Sequence, residues 1–172
     1  MKNRKRNRLK GYDYSSDNLY FVTICVQNMV CCLGEITVHD RDKSKENQSN
    51  QKMILNPYGL IVQNRLEWLE NQYPYIIIHN YVVMPNHVHA VIEIDRSKIK
   101  DIGIKIKSLS SLVGAFKTTS SKLIHEKGFI DFAWQRSFHD HIVRKDSTFQ
   151  TIMNYIDMNP QKWNYDKFFK KH

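Results

Sequence analysis

The chain has 172 residues, with 26 Lys and Arg against 17 Asp and Glu, for a formal charge of +9. That length holds one domain with a real hydrophobic core and is too short for a (β/α)₈ barrel, which needs roughly 200 residues or more. At 41% hydrophobic and 12% aromatic residues it is not disordered throughout, and its positive balance points to a polyanion, either nucleic acid or an anionic membrane surface.

Residues 1–10 carry six basic residues, Arg4, Arg6 and Arg8 among them, and no acidic one. The polar residues 11–17 follow where a secretory signal would have an apolar stretch, so residues 1–18 read as a basic arm. Residues 20–26, YFVTICV, are apolar on both faces and rich in β-formers, as in a central strand. Cys25, Cys31 and Cys32 are odd in number and lack the C-x2-4-C spacing of a zinc site, so they read as free thiols in a reducing compartment. Residues 39–52 are polar without hydrophobic period and read as an exposed loop.

Asn56 and Pro57 then fit the cap and first turn of a helix whose Leu60, Ile61, Asn64, Trp68 and Leu69 approximate helical spacing. Two β-rich runs, 75–83 and 87–94, flank Met84-Pro85-Asn86 and suggest an antiparallel hairpin. Leu109, Leu112, Val113 and Phe116 mark one face of a second helix, and residues 138–143 a further short strand. Ser147 and Gln150 form a capping box for a last helix with an apolar stripe of Phe149, Ile152, Met153 and Ile156, ending near Asn159 because Pro160 follows. The order is that of an α+β, ferredoxin-like split βαβ domain: an antiparallel sheet with helices on one face plus an added C-terminal helix. The expected division is an arm at 1–18, a domain at 19–161 and a basic tail at 162–172. No apolar run reaches the ~18 residues of a membrane helix, so a cytoplasmic protein with no membrane partner is expected.

The chemistry concentrates in MPNHVHAVIEI, residues 84–94. Strand alternation puts His87, His89, Val91 and Glu93 on one face and Val88, Ala90, Ile92 and Ile94 on the other. Imidazoles two residues apart lie roughly 6.5–7 Å apart at Cα and reach one divalent cation; without an ion they are simply a hydrogen-bonded or solvated pair. A third ligand is then needed, and the last helix offers one. Tyr155 and Asn159, at i and i+4, share a side of it, with Tyr155 at the edge of the apolar stripe. A tyrosine there is either a boundary residue or a nucleophile needing activation, and Asn159 either a ligand or a helix stop. Secondary candidates are Glu93 and His141 as groups behind the ligands, and Lys117, Arg136 and Arg144 as phosphate contacts or solvated charges. Tyr12, Tyr14 and Trp134 are candidates for stacking on bases, with core packing as the alternative for Trp134.

MPNHVHAVIEI resembles the His-hydrophobe-His core of HUH single-strand nucleases, and YIDMNPQKW the nucleophile helix of the REP-associated tyrosine transposases, within the insertion-sequence-200-like transposase family. YDYSSDNLYFVTICVQN, GLIVQNRLEWL and FAWQRSFHDHIVR agree as well, so the resemblance runs over most of residues 11–163. It implies a metal-dependent single-strand DNA endonuclease and strand transferase acting on hairpin-forming DNA. Tyr155 would attack a phosphate to leave a 5′-phosphotyrosine and a free 3′-OH, while His87, His89 and Asn159 hold Mg or Mn. The wider family carries Gln where Asn159 stands, which favours the REP-associated branch. Such enzymes act as monomers or as homodimers exchanging the nucleophile helix. The alternatives are a non-catalytic nucleic-acid-binding protein and a His-x-His metal hydrolase of small phosphoesters.

The charge itself is uneven. Residues 1–10 and the four Lys of 162–172 against Asp166 account for all of the +9, and within the neutral remainder residues 96–122 hold seven basic residues against Asp101.

Overall fold

A strand that is apolar on both faces is stable only when both are covered, and the architecture is built around that requirement. The computed structural model describes residues 11–38, 51–101 and 103–169. Arg4, Arg6, Arg8 and residues 39–50 of the polar loop lie outside them. The elements are β1 (Asn18–Cys25), β2 (Gly34–Val38), β3 (Gln51–Leu55), α1 (Pro57–Gln72), β4 (Ile76–Met84), β5 (His87–Ile94), α2 (Leu109–Glu126), β6 (His139–Val143) and α3 (Asp146–Met158). A four-stranded sheet of order β4-β5-β1-β6, antiparallel throughout, is the ferredoxin-like arrangement.

The two faces of β1 go to different layers. Tyr20, Val22 and Ile24 join Val88, Ala90, Ile92 and Ile94 in the main core, closed by Val62, Leu66 and Leu69 of α1 and Leu109, Leu112, Val113 and Phe116 of α2. On the opposite face Val91 and Val143 pack beneath Ile152 and Ile156 of α3, with Leu19, Phe21, Phe149 and Met153 at the margin. α3 therefore lies across the sheet face that carries the histidines. The β4–β5 connection is a two-residue turn, Pro85-Asn86, between the paired Met84 and His87.

Asn56 caps α1 as expected, accepting from the Tyr58 and Gly59 amides at 3.0 Å each, and its Nδ2 donates to the Cys32 carbonyl at 2.9 Å. The face of α1 differs from the expected stripe: Leu60 is 49% exposed, while Val62 and Leu66, at the next core-facing positions, are fully buried. α3 begins one residue before Ser147, at Asp146, with Lys145 as N-cap and no side-chain cap, so the capping box does not form. Asn159 keeps helical angles (φ −60°, ψ −44°) even though Pro160 follows, and Pro160 opens a 3₁₀ turn, Pro160–Tyr165.

Two strands have no counterpart among the expected elements. β2 and β3 pair into a separate hairpin, with Gln51 and Lys52, expected in the loop, inside β3. β2 alternates over EITV alone, and β3 reads QKMIL, polar then apolar, although its burial alternates; at five residues each, hydrophobic period could not identify them. Their docking depends on Gly59, where a Cβ would sit 2.0 Å from the Leu33 carbonyl oxygen. The three cysteines are free, and no helix among the described residues is long and apolar enough to cross a membrane.

Phe116 is fully buried against Trp134 at 5.5 Å between ring centroids. Phe116→Ala should cost about 3–5 kcal/mol in urea unfolding, whereas Leu60→Ala should stay within about 0.5 kcal/mol. Comparable losses for both would mean the core face of α1 is misassigned.

Candidate active site

Cross-strand register fixes the surroundings of the two histidines. Cys25 stands opposite His87 and Thr23 opposite His89, so Thr23, Phe21 and both imidazoles share one sheet face. His87 is 0% and His89 1% exposed, with ring centroids 4.6 Å apart. Each ring is tethered through Nδ1. His87 Nδ1 lies 2.8 Å from Asn86 Oδ1, and the Asn86 amide donates from Nδ2 to the carbonyls of Met29 (3.2 Å) and Phe168 (2.9 Å). Those two acceptors commit the amide nitrogen, so Oδ1 is the acceptor and His87 Nδ1–H the donor. The lone pair of His87 is thereby placed on Nε2. His89 Nδ1 lies 2.8 Å from Thr23 Oγ1.

Burial disfavours the imidazolium at both positions. It drives the His87 pKa well below the usual histidine value, helped by His89 and Lys167, and lowers His89 to about 3, with Lys167 adding to the effect. Both rings are neutral at pH 7 and present lone pairs.

α3 brings the remaining groups. Its apolar stripe faces the sheet, which turns Tyr155 to the stripe's edge, 39% exposed, with its hydroxyl 3.2 Å from His89 Nε2. The tyrosine ring stands edge-on to Phe21 (centroids 6.0 Å) and at 5.2 Å from His89. Burial raises the Tyr155 pKa above its ordinary 10 and the charge of Asp166 raises it further, partly offset by the Asn159 amide. The phenol is protonated at neutral pH. One turn on, Asn159 is 2% exposed and donates from Nδ2 to Asp166 Oδ2 at 3.3 Å.

Among the described residues, His87 Nε2 and Asn159 Oδ1 are buried with no hydrogen-bond partner. Two such atoms in one place are costly unless something binds them. A lone pair on a neutral imidazole and an amide oxygen are both cation donors, and ligand atoms of His87, His89 and Asp166 lie within 4.8 Å of one another. These residues fit a divalent cation.

Asp166 was not among the sequence candidates. It lies past Pro160 in a segment read as basic tail, yet residues 160–169 pack onto the site. Trp163 is buried, and the Phe168 ring lies tilted against both imidazoles, 4.7 Å from His87 and 6.0 Å from His89 between centroids. The available signal was the lone acid of residues 162–172 set among Trp163, Phe168 and Phe169. A cavity of about 570 Å³ opens beside Tyr155, lined by Phe21, Thr23, His89, Asn159, Lys162 and Lys167 among others.

Other candidates fall elsewhere. Glu93 pairs with His79 at 2.6 Å; four residues from His89, it is ~13 Å along the strand and does not orient the ligands. His141 is exposed on the edge strand β6 and lines a separate cavity of about 490 Å³ with Arg144. Lys117 Nζ donates to the carbonyls of Gln135 (2.8 Å) and Ser137 (3.2 Å), bracing the loop before β6. Arg136 is exposed on that loop. Trp134 is core, its Nε1 donating to Ser120 Oγ at 3.0 Å, and Tyr14 is buried with Tyr12 edge-on to it at 4.9 Å.

Comparison with known proteins places this geometry. The profile of the family described as "Transposase IS200 like" matches residues 62–159, from within α1 to Asn159, the C-cap of α3. An uncharacterized protein of Haemophilus influenzae is 31% identical over 179 residues, covering 96% of this chain and 93% of the relative. Among solved structures, a REP-associated tyrosine transposase bound to a REP hairpin superposes with a TM-score of 0.57 at 18% identity, over 97% of this chain and 77% of that one. A putative transposase from Deinococcus radiodurans gives 0.48 at 14% identity, over 87% and 95%.

Because folding lowers the His89 pKa from 6.5 to about 3, the unfolded chain binds more protons between those values. The associated stability is complete above about pH 6.5 and is lost as pH falls toward 3. Between pH 7 and 5.5 His89 should account for about 1 kcal/mol of lost unfolding free energy. Urea melts at the two pH values should show a drop smaller by that amount in His89→Gln; an equal drop would mean His89 is not held neutral.

Proposed function

We propose, from the premise that the chain belongs to the family of IS200-like transposases, that it is a metal-dependent endonuclease and strand transferase of single-stranded DNA with Tyr155 as nucleophile. The observation that carries this is the Tyr155 hydroxyl 3.2 Å from His89 Nε2, beside two buried and unsatisfied donor atoms, His87 Nε2 and Asn159 Oδ1.

His87, His89 and Asn159 would hold the cation, Mg or Mn. Once bound it supplies Lewis-acid polarisation of a phosphate oxygen. The chain's own groups do the rest. Phe21 and His89 hold the Tyr155 ring in one orientation, and Lys162 and Lys167 at the cavity rim draw a phosphodiester toward it. The phenolic oxygen forms a bond to phosphorus as the bond to the 3′ oxygen breaks. The phenol loses its proton and the departing 3′ oxygen gains one, leaving a 5′-phosphotyrosine and a free 3′-OH. A phosphodiester has been exchanged for a phosphodiester, so a second 3′-OH reverses the step and rejoins the strand without an external energy source.

A hairpin-forming single strand is the substrate this reading favours, by analogy with the relative whose structure holds a REP hairpin. The basic arm, with Arg4, Arg6 and Arg8, would grip phosphates beside the site. Arg136 and Arg144, exposed on either side of β6, are proposed to do the same. Tyr155 reaches His89 of its own chain, which supports cleavage in cis by a monomer, acting on DNA in the cytoplasm.

Incubation with Mn and labelled hairpin single strands should yield an adduct that survives denaturing electrophoresis. Tyr155→Phe should abolish it while retaining DNA binding. An adduct formed by Tyr155→Phe would place the nucleophile elsewhere, and binding without an adduct under every divalent ion would favour a non-catalytic binder. Removing residues 1–10 should weaken binding and flatten its salt dependence. The log–log slope should fall by roughly 0.7 for each phosphate of a single strand that the arm neutralises. An unaltered slope would show the arm idle.

A further inference from the structure

We infer that Asp166 is the anionic ligand of the cation held by the histidine pair, so that metal binding pins the C-terminal segment across the site. The inference rests on the reading of His87 and His89 as a metal site and goes beyond it in adding a residue and a coupling.

Geometry comes first. The ligand atoms of His87, His89 and Asp166 lie within 4.8 Å of one another, close to the separation of two ligands each roughly 2.0–2.3 Å from one ion. The carboxylate is held in place: Oδ1 accepts from the Phe168 amide at 2.7 Å and Oδ2 from Asn159 Nδ2 at 3.3 Å. Each oxygen keeps a lone pair. The Asn159 hydrogen bond also commits that amide's nitrogen, which leaves its unsatisfied Oδ1 as the donor atom. Asp166 thus orients one ligand while offering another.

Charge supplies the second reason. Two neutral imidazoles and an amide oxygen leave a dication uncompensated among buried groups, and hard cations such as Mg and Mn favour sites that include a carboxylate. Glu93 cannot serve, since it is paired with His79. Asp166 puts one negative charge where it is needed.

The segment carrying it is anchored on both sides. The Phe168 ring packs tilted against His87 at 4.7 Å, and its carbonyl accepts from the same Asn86 amide that fixes the His87 tautomer. Upstream, the Gln51 side-chain amide of β3 faces the carbonyls of Pro160 and Gln161, and turned with its nitrogen toward them it donates at 3.1 and 3.2 Å, tying the segment to β3. An ion on Asp166 joins these anchors to the sheet, and the anchors in turn hold the ligand ready.

The test uses the full chain with Mn alone, so that no turnover is required. Titration calorimetry should show one Mn site, weakened at least about tenfold in Asp166→Asn, with Asp166→Ser as a second neutral variant and melting in the absence of metal as the check on folding. Mn should also slow tryptic cleavage after Lys167 in the unaltered chain and fail to do so in Asp166→Asn. Affinity unchanged within twofold in both neutral variants, with binding lost in His87→Gln, overturns the assignment of Asp166 and leaves the histidine site standing. An unaltered chain that binds no Mn overturns both.

Discussion

Two imidazoles are kept neutral by burial on a sheet face that must also remain reachable, and the rest of the molecule answers to that constraint. A charged imidazole there would offer no lone pair, and a fully solvated one would be charged part of the time near neutral pH. Burying His87 and His89 to 0% and 1% exposure removes the proton without removing the lone pair. The cost of enclosing unpaired ring nitrogens is limited by tethering each Nδ1, to Asn86 and to Thr23. The fold therefore has to deliver a turn residue on one side and a neighbouring strand on the other. The two-residue β4–β5 turn supplies Asn86, and the β1–β5 register supplies Thr23.

The covering helix brings the tyrosine hydroxyl to those imidazoles. Ile152 and Ile156 set the rotation of α3 on the sheet, and that rotation determines which side chain meets the imidazoles. Tyr155 is adjacent in sequence to the buried Ile156, so it arrives at the boundary, half in the apolar layer and half in the cavity. Asn159, three residues after Ile156, returns to the buried side. Packing and chemistry are thus coupled through one helix: a change that rotates α3 by a fraction of a turn separates the phenol from His89.

Much of this was legible in particular residues. Strand alternation in HVHAVIEI placed both histidines on one face, and the i, i+4 relation of Tyr155 and Asn159 placed them together, because both depend only on local backbone geometry. The apolar sets of α2 and α3 were equally readable. The stripe of α1 was not, since Leu60 is as apolar as Val62 and only the docking of Gly59 on Leu33 selects between them. The β2–β3 hairpin was invisible because EITV is too short a period to mark a strand and QKMIL does not alternate in sequence.

The sequence by itself determined the elements of the sheet, the pairing of the histidines and the tyrosine–asparagine side of the last helix, since each follows from contacts within a few residues. Only the tertiary structure decided what surrounds them. Lys117 looks like a free cation until it is seen to bind loop carbonyls, and Glu93 looks like part of the site until it is seen to bind His79. Asp166 looks like a tail residue until Trp163 and Phe168 fold it back over His87. Such pairings join residues well beyond a helical turn or strand repeat, 14 positions apart for Glu93 and His79 and 18 for Lys117 and Gln135. They arise from the competition of every polar group for a partner, and local spacing holds no record of that competition.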